Sequence, residues 1–207
     1  MKKKNIYIIL SKTNTKMGKI IRTFTRYEYN HVSISLNKNF KEVYSFSRYY
    51  KNTPLVGGFT VESFLRYDKS TKIKIFEIPL DYKTYYSLKK YINFIKIYRK
   101  KFIYNTFSAL FSIFKINYDI KNSYTCLSFI KHLFTKFNIL NFKNKDFNSI
   151  KNLNNKLKNY IYYDGIIEDL KINKEWGLDL YNQKKNVFIV FLATIIHMLK
   201  LIYRSII

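Results

Sequence analysis

One cysteine, two prolines and five glycines occur among the 207 residues. A single thiol excludes an internal disulfide framework and any cysteine-rich zinc site. With so little glycine and proline, few positions force the backbone to turn, and element boundaries are weakly marked. Acidic residues are scarce as well: 13 Asp plus Glu stand against 38 Lys plus Arg, a net charge of +25. A surface of that sign attracts polyanions such as anionic lipid and nucleic acid. Only six of the cations are Arg (Arg22, Arg26, Arg48, Arg66, Arg99 and Arg204), and paired recognition of phosphates and base edges is mainly arginine chemistry. Nucleic acid is therefore the weaker of these partners. The abundance of Lys, Asn, Ile, Tyr and Phe also matches what AT-rich codons write, so part of the charge reflects composition bias.

No glycine-rich phosphate loop and no His, Cys or carboxylate cluster at ligand spacing is found, so no cofactor or metal is implied. What is present is globular in character, with 47% hydrophobic and 19% aromatic residues. The length fits one domain with a modest appendage, divided here as residues 1–180 and a tail of residues 181–207. The run Ile6 to Leu10 behind the basic start is shorter than the roughly 7 to 15 residue core of a secretory signal, and fits a first strand. A cytoplasmic or peripheral membrane location is the expectation.

Periodicity gives the order of elements. Asn5 to Leu10 is a strand, and Lys16 to Tyr27 a short helix with Met17, Ile20, Ile21 and Phe24 on one side. In His31 to Leu36, a period of two sets Val32, Ile34 and Leu36 on one face and His31, Ser33 and Ser35 on the other. After a turn at Asn37 to Asn39, Glu42 to Arg48 returns as the hairpin partner. Gly57 and Gly58 mark a loop, and Lys72 to Pro79 is a further strand. Asp81 caps a helix from Tyr82 to about Lys100, in which Tyr85, Leu88, Ile92 and Ile95 face a sheet. Tyr104 to Phe114 is helical and apolar, and another helix runs from Tyr124 to Phe137 with Asn122 or Ser123 as its cap. Asn138 to Asn159 is a loop or short helix with little apolar content. Ile161 to Leu170 returns as a strand, with Gly165 as a bend or bulge. Strands grouped apart from helices predict an α+β fold.

In the tail, Val187 to Leu199 is almost wholly apolar, but its 13 positions span about 20 Å against a hydrocarbon core of about 30 Å. Thr194, His197, Lys200 and Arg204 gather near one helical face. Residues 187–207 could therefore lie on an anionic membrane surface, or pack on the domain or on a partner chain.

The chemistry narrows to Cys126, because a thiol nucleophile needs a base and there are three histidines. His132 lies six residues on, about 240° around the helix, and points elsewhere. His197 sits in the apolar tail, which leaves His31. Placed in the first turn of its helix, Cys126 meets free backbone N–H groups that favour a thiolate and could hold an oxyanion.

A resemblance joins the two residues. The segment Glu28-Tyr-Asn-His-Val-Ser-Ile-Ser-Leu36, then Val43-Tyr-Ser-Phe-Ser47, and after a helix Tyr124-Thr-Cys-Leu-Ser-Phe-Ile130, resembles the circularly permuted papain-like enzymes of the NlpC superfamily, the YiiX-like and lecithin retinol acyltransferase-like branch. Tyr163-Asp-Gly165 is similar to a short strand of those relatives. The resemblance implies a permuted papain-like fold, an antiparallel sheet packed against helices, with Cys126 as nucleophile and His31 as base and acid. It also implies a third polar residue after the histidine strand. There the sequence offers Ser45, an uncharged acceptor, with Ser47 on the same face and Glu42 on the other. The expected function is a thiol amidase or peptidase, for which the resemblance suggests cell-wall peptides as substrates. The alternatives are an acyl-lipid transferase or hydrolase at a membrane, and a silent basic module that docks on anionic lipid or nucleic acid.

Overall fold

The computed structural model describes residues 3–53, 55–111, 118–143, 148–170 and 183–206. At its centre is β1 (Lys3–Ser11), in which Ile6, Ile8 and Leu10 are buried on one side and Tyr7 and Ile9 on the other. A strand that is apolar on both sides belongs in the middle of a sheet covered twice. β1 pairs antiparallel with β2 (His31–Ser35) and with β5 (Lys72–Asp81). The remaining strands are β3 (Val43–Arg48), β4 (Gly57–Glu62), β6 (Ile103–Tyr104), β7 (Ser123–Tyr124) and β8 (Ile161–Ile166). Among the described residues they form one sheet in the order β7-β6-β4-β3-β2-β1-β5-β8. The expectation was an antiparallel sheet; β6 and β7 run parallel, so the sheet is mixed and the protein is α+β.

One face is covered by α2 (Tyr82–Ile97), α4 (Cys126–Lys136) and α5 (Ile150–Leu157), which bury Leu88, Phe129, Leu133 and Leu153 against Ile8, Ile34, Phe46 and Phe59. The other face, with Tyr7, Ile9, Val43 and Ile75, is closed by Phe40, Phe64 and Ile167. Thus the second row of β2 is not a solvent row: Ser33 and Ser35 are buried, and Ser35 Oγ donates to the carbonyls of Asn37 and Glu42, each at 2.9 Å.

Gly57 and Gly58 open a strand rather than a loop. A Cβ on Gly57 would stand 2.3 Å from the Ser47 carbonyl oxygen, and one on Gly58 2.2 Å from Tyr49 Oη and 2.6 Å from the Phe102 carbonyl oxygen. Neither has a positive φ, so these glycines permit close approach rather than a turn. Gly58 makes the single backbone pairing between β4 and β6, with Ile103.

The hairpin, β5 and α2 lie where periodicity sets them, and Asp81 caps α2 by accepting from the Thr84 N–H at 2.9 Å. In α1 (Lys16–Thr25) Ile20 and Phe24 are exposed, and Arg26 ends the helix in the left-handed region. The segment Tyr104 to Phe114 contributes the end of β6 and then α3 (Thr106–Phe111); residues 112–117 lie outside the described residues. Within Asn138 to Asn159, α5 buries Leu153 and Leu157 completely, more than its Asn- and Lys-rich text implied. β8 stops at Ile166, and its register break lies opposite Ile75 and Phe76 rather than at Gly165, which pairs with Ile73. The tail forms α6 (Val187–Ile206); at 20 residues it is about 30 Å long, longer than the apolar run alone.

Candidate active site

Thr125, not Asn122 or Ser123, caps α4. Its hydroxyl accepts from the Ser128 N–H at 3.1 Å, and Ser128 Oγ accepts from the Thr125 N–H at 2.8 Å. This reciprocal box leaves Cys126 as the first helical residue, half-buried, with its own amide at the open end of the helix. Asn122 and Ser123 instead lead into β7, whose pairing with β6 fixes the approach to the cap.

His31 begins β2. It pairs with Ser11 of β1, while the β2–β3 ladder holds only Ile34 with Tyr44 and Ser35 with Val43. Its side chain therefore stands beyond that ladder. The Cys126 thiol lies close enough to the His31 ring to help hold the imidazole charged. Nε2 lies 3.1 Å from both carboxylate oxygens of Glu62, so Nδ1 is the nitrogen left for the sulfur.

Glu62, at the end of β4, is the residue on the far side of the ring. Its side chain is 1% exposed. It accepts from Ser45 Oγ at 2.5 Å and from Tyr67 Oη at 3.1 Å, and pairs with Arg66 at 2.6 Å. Burial alone would push this carboxyl up, but His31 and Arg66 together hold it far below the usual carboxylate range. For His31, burial pulls down, whereas the Glu62 charge and hydrogen bond, with the nearby Cys126, outweigh it and push the imidazole up to about 10. Burial and the neighbouring Glu62 charge raise Tyr67. Tyr104 is raised by burial and then by the charge of Cys126.

The structure brings Cys126 and His31 together across 95 positions of chain. Ser45 is not on the ring: it donates to Glu62, one step further out. Ser47 Oγ lies 2.9 Å from Thr60 Oγ1, and Glu42 is engaged by Lys96 and Tyr44. The place expected for Ser45 is thus held by Glu62, which the sequence reading passed over because Gly57 and Gly58 read as a loop. The signal that could have found it is the alternation Phe59-Thr60-Val61-Glu62, with Phe59 and Val61 on the helix-covered face. His132 sits 2.8 Å from Tyr91 Oη, away from the thiol, and His197 Nε2 lies 3.0 Å from the Tyr104 carbonyl. Asp164, in the Tyr163-Asp-Gly165 segment, pairs with Lys74 at 2.7 Å on the opposite half of the sheet.

Among the described residues no three His, Cys, Asp or Glu side chains converge as a metal-binding group. What the arrangement offers is a thiol, a ring nitrogen beside it, a carboxylate that orients the ring, and a helix-start amide. Comparison of the chain with family models, with curated proteins and with solved structures finds no match.

Proposed function

We propose that the protein is a thiol hydrolase of amide bonds with a permuted papain-like fold, its site made of Cys126, His31 and Glu62. The observation that carries this reading is an imidazole held at 3.1 Å by a buried carboxylate, with the only thiol of the chain close enough to act on its charge. In the reactive form His31 holds the thiol proton, and Glu62 fixes the ring and stabilises its charge. The sulfur adds to the amide carbonyl carbon, with the oxyanion toward the Cys126 amide. The imidazolium then gives its proton to the leaving nitrogen as the C–N bond breaks, and a thioester remains. Neutral His31 next takes a proton from water, whose oxygen displaces the sulfur and releases the acid.

The similarity to NlpC-type enzymes directs the substrate toward peptides, including those of cell walls. If a lipid or amine takes the place of water, the same thioester yields an acyl transfer, a second reading favoured by the exposed apolar surface of α6. The test is the rate at which iodoacetamide alkylates Cys126. Near neutral pH it should exceed that of a free thiol, and His31→Ala should slow it about 100-fold. A folded protein whose Cys126 reacts no faster than a free thiol, with no dependence on His31, would instead be a silent basic module.

A further inference from the structure

Eleven large hydrophobic residues of α6 are exposed, among them Phe188, Phe191, Ile195, Leu199 and Ile202. The polar residues of the helix do not balance them. Thr194, His197, Leu201 and Arg204 fall on one stripe at 3.6 residues per turn, and this stripe faces the domain. Leu201 is fully buried with Ile103 and Ile120. His197 Nε2 lies 3.0 Å from the Tyr104 carbonyl and 3.2 Å from Thr106 Oγ1, and Arg204 donates to the Asn122 carbonyl at 3.3 Å. The side that water would ordinarily wet is thus turned inward. About 160° of the outward circumference carries apolar residues alone, with Lys200 at its border beside Arg204.

Three occupants could cover this arc, and the molecule distinguishes them. A helix crossing the bilayer would have to leave its seam, which would carry His197 and Arg204 into hydrocarbon and uncover Ile103 and Ile120. A second copy would bring another +25 charge against the first. An anionic lipid surface has the opposite sign, and Lys184, just before the helix, and Lys200, at the border of the arc, are exposed to meet its phosphates.

We infer that α6 lies flat along an anionic membrane surface while still docked on the domain, its outward arc at the boundary of headgroups and acyl chains. Because the seam grips Tyr104, which pairs with Tyr124 two residues before Cys126, the candidate site is held close to the bilayer plane. This placement stands whether or not Cys126 is a nucleophile.

The full chain should float with vesicles of phosphatidylcholine and phosphatidylglycerol, with partition about tenfold stronger than on phosphatidylcholine alone. Lys200→Glu should weaken that partition about tenfold. Paired Phe191→Glu and Ile195→Glu should abolish flotation, while circular dichroism and the Cys126 alkylation rate stay as in the parent, since both side chains point outward. Alkaline carbonate should release the bound protein. Undiminished flotation of the double variant would overturn the inference, as would retention through carbonate, which marks a crossing helix. A dimer in vesicle-free solution that the same variant dissociates would overturn it in favour of a second copy.

Discussion

Glu62 meets His31, Ser45, Arg66 and Tyr67 at once, so its charge is the keystone of a buried polar cluster. Glu62→Gln keeps the shape and removes the charge. The Arg66 guanidinium, with a side chain 4% exposed, then loses its carboxylate, at a cost of about 3 kcal/mol or more in stability. The His31 titration midpoint, followed by nitrogen chemical shifts, should fall by at least about two pH units, because burial then pulls it down against weaker opposition. A His31 midpoint unmoved by Glu62→Gln would remove the carboxylate from the site's electrostatics. In the parent the signs oppose one another. His31 titrates above its ordinary 6.5, so its stabilisation is whole below that pH and is lost as pH rises toward about 10. Glu62 titrates below its ordinary 4.5, so its share is whole above that pH and is lost only on strong acidification. Denaturation midpoints should therefore be highest between about pH 4.5 and 6.5 and decline toward pH 10.

At the level of elements, the start of α4 sets the position of the sulfur. Thr125→Ala removes one half of the capping box and should cost about 1 kcal/mol, measured by thermal unfolding. It should also slow Cys126 alkylation, while Ser128→Ala, which breaks the other half, does the same more weakly. Equal alkylation in parent and variants would mean that β7, rather than the cap, places the thiol. What was legible in the sequence follows from element length and period. The period of two in His31 to Leu36 and the three- and four-residue steps in α2 mark strand and helix because each shows several repeats. β4 was hidden because two glycines that admit neighbouring backbone look the same in a sequence as two that turn it. Glu62 was hidden with it, leaving Ser45 as the visible polar residue. β6 and β7 have two residues each, too few for any period, and their partners lie far along the chain. The polar stripe of α6 could be seen, but whether it faced water or the domain depended on Ile103 and Ile120, far back along the chain.

Considered as a whole, the molecule divides its candidate site between two parts of one sheet. His31 and Glu62 belong to the well-paired strands, whereas Cys126 stands between β7, which is attached through β6, and α4, which packs on the central sheet. Among the described residues the Gly58–Ile103 pairing is the only ladder bond from that edge to β4, while α6 is laid over the edge and α4 packs on β2 and β3 beside it. So short a ladder opens locally before the central strands do. On slow heating, the His31-dependent acceleration of Cys126 alkylation should disappear at a lower temperature than the far-ultraviolet dichroism, and should return on cooling. Coincident transitions would show that the edge and the centre melt as one. If the edge does loosen first, the thiol acts as a strain gauge on the molecule's narrowest weld. Reactivity could then be switched off reversibly by prising two strands apart, with every side chain of the candidate site intact.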